Sequence, residues 1–247
     1  MKSAITKDAF LNGQVDVFQP AKGFRAGTDS VLLAAALDAD ATGAALEIGC
    51  GSGGALFPAA KRLAGMHFTG LEQDPAAFER AELGRVANRM EGQVELIHGD
   101  AARMPGLWEN RFDLVFSNPP FFGEGTIKQP GEGKDAAYLE SLPLKDWINA
   151  MLFVLRPKGT FVMIHRAAEL ARILAVIERQ AGEIAVMPVR SFPGSDAKRV
   201  IVRARKGLRS GPMRLLAGID LYQAKGGERT ALSEAITYDG VGLNWGH

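Results

Sequence analysis

The chain has 247 residues, 47% apolar and 23% charged, enough for one large α/β domain, or one domain with a small extension, around a sizeable core. No run reaches the ~18 apolar residues of a membrane span, residues Met1 to Asp8 lack the apolar core of a signal peptide, and the single cysteine, Cys50, excludes an intramolecular disulfide, so a cytoplasmic protein is expected. The net charge of +1 divides unevenly, residues 1–154 carrying 14 Lys+Arg against 20 Asp+Glu (net −6) and residues 155–247 carrying 15 against 8 (net +7); a basic half of this kind either meets an anion or is simply an uneven, solvated surface.

In chain order, Thr28-Asp29 reads as a cap ahead of a helix over Ser30–Leu37. From about residue 44 short apolar runs alternate with helical stretches, the pattern of βαβ units around a parallel sheet. Residues 44–48 form the first predicted strand, 55–64 a helix, and Met66–Leu71 a second strand. Pro75 opens a helix running to about Met90, followed by strands at Val94–Ile97 and Phe112–Phe116. A glycine-rich loop runs from Asn118 to about Lys134. Pro143 opens a helix to Leu155; then come a strand at Gly159–Ile164, a helix over 167–180, and strands at Ile184–Val189 and Val200–Ala204. Neither an internal repeat nor a low-complexity tract is present. The expected division is an N-terminal extension (1–43), a main domain (44–207) and a C-terminal segment (208–247) packing on it. The order of elements suits an open, doubly wound, mostly parallel seven-stranded sheet with helices on both faces and ligands at the carboxyl ends of the strands.

Three features fall at successive strand ends. Glu47-Ile48-Gly49-Cys50-Gly51-Ser52-Gly53 follows the first strand. Glycines there let the backbone turn sharply and approach a ligand closely; such a turn serves NAD, FAD or S-adenosylmethionine, or is only a tight turn. Glu72 ends the second strand, where a carboxylate can accept both ribose hydroxyls or be a solvated charge. Asp100 ends the third, placed for the exocyclic amine of an adenine ring or as a helix cap.

The sharpest signal ends the fourth strand: Asn118-Pro119-Pro120-Phe121-Phe122. Two consecutive prolines stiffen the backbone and remove two N–H donors, and Asn118, preceding a proline, is driven toward extended conformations. A rigid turn of this kind can aim the Asn118 side-chain oxygen and the Pro119 carbonyl at one NH2 group. Two acceptors there hold the amine and draw its lone pair out of ring conjugation for attack on a sulfonium methyl, without a strong base. Phe121 offers a flat face for a planar substrate. A nicotinamide-dependent oxidoreductase accounts for the glycines and Glu72 but leaves Asp100 and the double proline unexplained.

At these residues the chain resembles the class I S-adenosylmethionine-dependent methyltransferases that modify amino nitrogens, over roughly residues 25–205. The resemblance implies a Rossmann-like fold, that cofactor on Glu47, Gly49, Gly51, Gly53, Glu72, Gln73, Asp100, Ala101 and Asn118, and catalysis by Asn118, Pro119, Pro120 and Phe121. A narrower likeness, carried by Gln19–Leu33, Phe122 and Val200–Gly207, is to the bacterial tRNA(Val) adenine-N6 methyltransferases. That group often has Tyr where this chain has Phe121. The likeness implies a tRNA partner and places Arg25, Thr28 and Asp29 near the cofactor or the substrate mouth. The same tetrapeptide serves guanine-N2 methylation of ribosomal RNA and methylation of a protein glutamine; those enzymes commonly carry additional domains, and only about 43 residues precede the first strand here. An inactive RNA-binding protein of this fold is disfavoured by the intact tetrapeptide.

Ala197–Arg209 carries Lys198, Arg199, Arg203, Arg205, Lys206 and Arg209 and no acid. Such a stripe neutralises phosphates or discourages aggregation at an exposed sheet edge. Phe122 and Lys128, just past the tetrapeptide, join Lys198, Arg199, Arg203 and Arg205 as candidate RNA contacts. His67, His98, His165 and His247 share no metal-ligand spacing with one another or with Cys50, so no metal is expected. The oligomeric expectation is a monomer or weak homodimer.

Overall fold

The computed structural model describes residues 4–23, 25–120, 142–208 and 211–246. The main sheet is built from β3 (Gly43–Ile48), β4 (Met66–Glu72), β5 (Val94–His98), β6 (Phe112–Ser117), β7 (Leu155–Arg166), β8 (Ala181–Arg190) and β9 (Ala197–Lys206). Their lateral order is β8-β9-β7-β6-β3-β4-β5, all parallel except β9, which runs antiparallel to both β7 and β8. The seven expected strands are all present. Two-residue strands β10 (Arg214–Leu215) and β11 (Ile219–Asp220) add to the outer edge of β8 and bring the sheet to nine strands.

Helices cover both faces because the buried strands are apolar on both. In β7, Val162 and Ile164 face one core with Phe57, Phe68 and Phe116, while Phe161 and Met163 face the other with Ile148, Leu152 and Ile177. This period of two is what lets a central strand serve two layers. Helices α1 (Thr28–Ala35), α2 (Leu56–Arg62) and α6 (Ala231–Asp239) contribute to the first core; α4 (Leu144–Val154) and α5 (Leu170–Ile177) pack on the second. Helix α3 (Pro75–Ala87) starts where proline is tolerated, at N1, with Asp74 accepting from Ala77 N at 2.6 Å.

Several expectations need correction. Strands β7, β8 and β9 outrun their apolar cores, because the antiparallel ladder continues from Thr160↔Arg205 to Arg166↔Arg199, and backbone pairing does not depend on side-chain polarity. Helix α1 begins at Thr28 itself, with no side-chain cap; Asp29 lies in the first turn and pairs elsewhere. The stripe on β9 is not a sheet edge, since β9 lies between β7 and β8. The N-terminal stretch holds an unforeseen antiparallel hairpin, β1 (Ile5–Phe10) with β2 (Val15–Pro20). The alternation of buried Val15, Val17 and Gln19, after a turn with positive φ at Leu11, Asn12 and Gly13, is an Asn-Gly hairpin signal that the sequence did carry.

The last carbonyls of α1 show how distant segments complete one element. Four helix-terminal C=O groups lack intrahelical partners. Here the Arg62 guanidinium donates to Ala34 O and Leu37 O, Leu243 N donates to Ala35 O at 2.7 Å, and Trp245 donates its Nε1 to Ala36 O at 2.8 Å.

Candidate active site

The chain connections reverse direction between β3 and β6, and a crevice at that switch point is where open α/β sheets bind ligands. The turn after β3 is held from outside: Gly49 N and Cys50 N both donate to Leu71 O of β4, at 2.8 and 3.0 Å. Gly49, Gly51 and Gly53 have φ of 72°, 57° and 86°, the left-handed region open to glycine at little cost. A Cβ on Gly49 would lie 2.9 Å from the Trp147 ring and one on Gly53 would collide with the Phe57 ring, whereas one on Gly51 would meet nothing within 4 Å. Packing therefore demands the outer two glycines, and the middle one faces open space. Gly51 N donates to Glu72 Oε2 and Asp74 N to Glu72 Oε1, each at 2.7 Å, so Glu72 braces the turn while each oxygen retains a second lone pair for a ligand hydroxyl.

Glu47 lies beneath this turn, 2% exposed. Burial pushes its carboxyl well above the ordinary carboxylate range, the neighbouring charge of Glu72 adds to this, and the Leu56 N–H partly offsets it. Its Oε2 is buried without a partner among the described residues. Burial likewise raises the Cys50 thiol, helped by Glu47 and Glu72, which removes thiolate reactivity. Asp100 caps the short 3₁₀ turn at Ala101–Arg103, accepting from Ala102 N at 2.8 Å. It therefore performs the capping role and keeps its other oxygen at this strand end. Ala101 is buried, and Gln73 is exposed with its carbonyl 2.9 Å from His98 Nε2.

At the end of β6, Asn118 is half-buried, Pro119 buried and Pro120 exposed. Asn118 Oδ1 is buried and has no hydrogen-bond partner among the described residues. Such an acceptor is costly unless something donates to it. Phe121, Phe122 and Lys128 lie outside the described residues. Two residues that the sequence reading did not single out adjoin this turn: Ser117 Oγ donates to Ile48 O at 2.7 Å and accepts from Trp147 Nε1 at 2.9 Å.

The segment before α1 reaches the same crevice, since a Cβ on Gly54 would collide with Ala26 Cβ and stand 3.4 Å from Ser30 Oγ. Thr28 and Asp29 stand in the first turn of α1. Asp29 accepts from Arg199 Nε at 2.8 Å. Arg25 is turned to the hairpin, donating to Thr6 Oγ1 and Pro20 O at 2.9 Å each and pairing with Asp8. The basic stripe splits along β9. Arg199 and exposed Lys198 stand at the end that pairs with Arg166, the carboxyl end of β7. Arg203 and Arg205 stand four and six residues further, about 13–20 Å away at strand rise. Arg203 pairs with Asp38 at 2.8 Å and lies over the Trp245 ring, and Arg205 donates to Lys158 O at 2.7 Å. No group of three His, Cys, Asp or Glu suited to a metal occurs among the described residues, and no helix among them is long and apolar enough to cross a membrane.

His165, near the carboxyl end of β7, is 3% exposed. Burial lowers its pKa from 6.5 to about 4, against the opposing charge of Glu169. Between those values the unfolded chain binds a proton that the fold does not, so stability is complete above about pH 6.5 and declines as the pH falls toward 4, by at most about 3 kcal/mol. Denaturant unfolding of His165→Asn at pH 7 and pH 4 should show the pH-dependent loss reduced by about that amount; an undiminished loss would refute a neutral buried imidazole.

A glycine turn, carboxylates at two neighbouring strand ends and an amide oxygen that is buried and unsatisfied among the described residues lie at the carboxyl ends of the adjacent strands β5, β4, β3 and β6, an arrangement suited to holding a nucleoside and presenting an amine. Comparison with known proteins identifies the family. A family described as a methyltransferase domain matches residues 39–189. A Porphyromonas gingivalis (strain W83) protein named tRNA1(Val) (adenine(37)-N6)-methyltransferase is 32% identical over 203 residues, covering 78% of this chain and 79% of that one. A protein of the same name from Dickeya chrysanthemi is 26% identical over 206 residues, covering 83% and 81%. Among solved structures, a predicted O-methyltransferase from Agrobacterium tumefaciens superposes with a TM-score of 0.70 at 22% identity, covering 87% of this chain and 98% of that one. The 16S rRNA N2 G1207 methyltransferase of T. thermophilus gives 0.55 at 20%, covering 82% and 50%. At these identities the structural likenesses concern the fold alone.

Proposed function

The chain belongs to the S-adenosylmethionine-dependent methyltransferase family, and from that premise we propose that it methylates the exocyclic N6 amine of an adenine in tRNA, position 37 of tRNA1(Val) being the first candidate. The observation that carries the acceptor chemistry is Asn118 Oδ1 at the end of β6, buried and without a hydrogen-bond partner among the described residues. A planar NH2 group donates one N–H to it and has a second for the Pro119 carbonyl, whereas an alcohol has a single O–H and a carbon acceptor none. The curated relatives, at 32% and 26% identity over about four-fifths of the chain, support adenine and tRNA in particular.

The residues present fit the cofactor. Gly51 faces open space where any side chain would intrude, and Glu72 has lone pairs left for ribose hydroxyls. Glu47 offers below the turn a buried oxygen without a partner among the described residues, Asp100 and Ala101 are assigned to the adenine side with Gln73 nearby, and Thr28 and Asp29 to the mouth. Bound there, S-adenosylmethionine supplies a methyl group on positively charged sulfur, transferable to a nitrogen lone pair. The chain's own work is orientation. Asn118 accepts one N–H of the amine and the Pro119 carbonyl the other, which holds the nitrogen and directs its lone pair along one line. Pro119 and Pro120 keep that pair of acceptors rigid, and Phe121 stacks on the base. Neither acceptor is a base at neutral pH, so the surplus proton passes to water after transfer.

RNA phosphates are assigned to Lys198 and Arg199 at the carboxyl-end side of the stripe, Arg199 already held in place by Asp29, and to Lys128, while Phe122 beyond the tetrapeptide offers a face to a base. Arg203 and Arg205, at the far end and engaged with Asp38 and Lys158, serve the fold. The test is transfer of labelled methyl from S-adenosylmethionine to unmodified tRNA, with nucleoside analysis of the product. N6-methyladenosine is the expected product. Label appearing only in ribosomal RNA guanine or in a protein glutamine would replace the acceptor and leave the family intact.

A further inference from the structure

Methyl transfer needs the Gly49–Gly53 turn and Asn118 held at a fixed spacing, and the backbone does not supply it. Pairing between β3 and β6 stops at Glu47↔Phe116, after which the strands diverge into their two turns. Pro119 and Pro120 have no N–H with which to continue a ladder. A side chain takes over at that point. Ser117 Oγ donates to Ile48 O, the last residue of β3, at 2.7 Å, and accepts from Trp147 Nε1 of α4 at 2.9 Å. Ser117 is fully buried and Trp147 is 9% exposed. The indole of Trp147 also abuts Gly49, its edge 2.9 Å from where a Cβ would stand. One side chain therefore touches the first glycine of the cofactor turn and, through Ser117, the residue before Asn118. All three polar groups satisfy one another in a buried site where an unpaired group would be costly.

We infer that Ser117 and Trp147 are positioning residues for methyl transfer, their hydrogen-bond chain setting the spacing between the cofactor turn and Asn118. The inference rests on the reading of Asn118 as the group that holds the amine. Neither residue reaches a reactant; they act through the two turns, and a misplacement of about 1 Å costs a rate on the order of 10²-fold.

The test uses full-length Trp147→Phe, Ser117→Ala, the double variant, and Ser117→Thr, which keeps the hydroxyl. Trp147→Phe keeps a ring against Gly49 and covers the case in which Ser117→Ala fails to fold. Each single variant should lower the single-turnover rate about 10-fold or more, with S-adenosylmethionine Kd and tRNA KM moving less than about 3-fold. The double variant should be no slower than the slower single, since both cut the same chain, and Ser117→Thr should recover most of the rate. Multiplicative losses in the double variant, or losses confined to Kd or KM, would overturn the inference. A second readout needs no acceptor: in the cofactor-bound protein, hydrogen exchange of the Gly49–Gly53 amides and the Trp147 indole N–H should accelerate at least about 10-fold in Ser117→Ala. If the wild type does not methylate tRNA, the substrate reading fails by itself, and unchanged exchange would then still overturn the spacing role.

Discussion

Asn118→Ala should slow methyl transfer by about 10²–10³-fold, the range observed when one preorganised polar group is removed from a reacting centre, while leaving S-adenosylmethionine affinity within about 3-fold. The reasoning starts from the state of Oδ1: a buried acceptor without a partner among the described residues, on a turn whose next two residues cannot donate or bend. Because the double proline fixes the backbone that carries the amide, its contribution requires little reorganisation during the reaction and is lost on truncation. Single-turnover rates at saturating tRNA and cofactor, with calorimetric cofactor affinity alongside, make the measurement. A rate close to wild type would remove Asn118 from the chemistry and require another holder for the amine.

Glu72→Ala should weaken S-adenosylmethionine binding by about 2–3 kcal/mol, roughly 30- to 150-fold in Kd. Two losses combine. The ribose hydroxyls lose a charged acceptor, and the turn loses the carboxylate that holds Gly51 N and Asp74 N at 2.7 Å each. Glu72→Gln keeps one carbonyl oxygen and should fall between wild type and Ala. With Glu72 neutral, one of the causes that raise the Glu47 carboxyl is also removed, so Glu47 should titrate closer to the ordinary carboxylate range. Calorimetry with S-adenosylmethionine settles the first point. An unchanged Kd in Glu72→Ala would place the ribose elsewhere.

The site divides by how local its signals are. The positions of the candidates Gly49, Gly51 and Gly53, Glu72, Asp100 and Asn118 could all be read in advance, because each sits at the carboxyl end of a strand visible as an apolar run, and a parallel sheet gathers such ends on one side. Asp100 shows the limit of this. Its position was legible, but whether it caps a turn depended on the backbone after it, and it does cap one, at Ala102 N. The hairpin β1–β2 was legible in principle from its alternation and its Asn12-Gly13 turn, yet a short strand pair gains its stability from what it covers, here α3 through the Asn88 hydrogen bonds to Asp16.

The basic stripe could not be assigned from its composition. Arg199, Arg203 and Arg205 look alike in sequence, but their partners Asp29, Asp38 and Lys158 lie between 47 and 170 residues away, and the direction of β9 alone separates Arg199, beside the carboxyl end of β7, from Arg203 and Arg205 toward its amino end. Ser117 and Trp147 were invisible for the same reason: a serine before a tetrapeptide and a tryptophan in an amphipathic helix carry no local mark of a shared hydrogen bond. The layering of the fold, the family and the place of the candidate site residues at strand ends were all written in the order of residues, because periodicity and the stereochemistry of glycine and proline act over a few positions. Which acceptors are buried without a donor, which cations are already paired and what holds the two turns together emerged with the folded chain, because those depend on burial and on contacts between residues far apart in sequence.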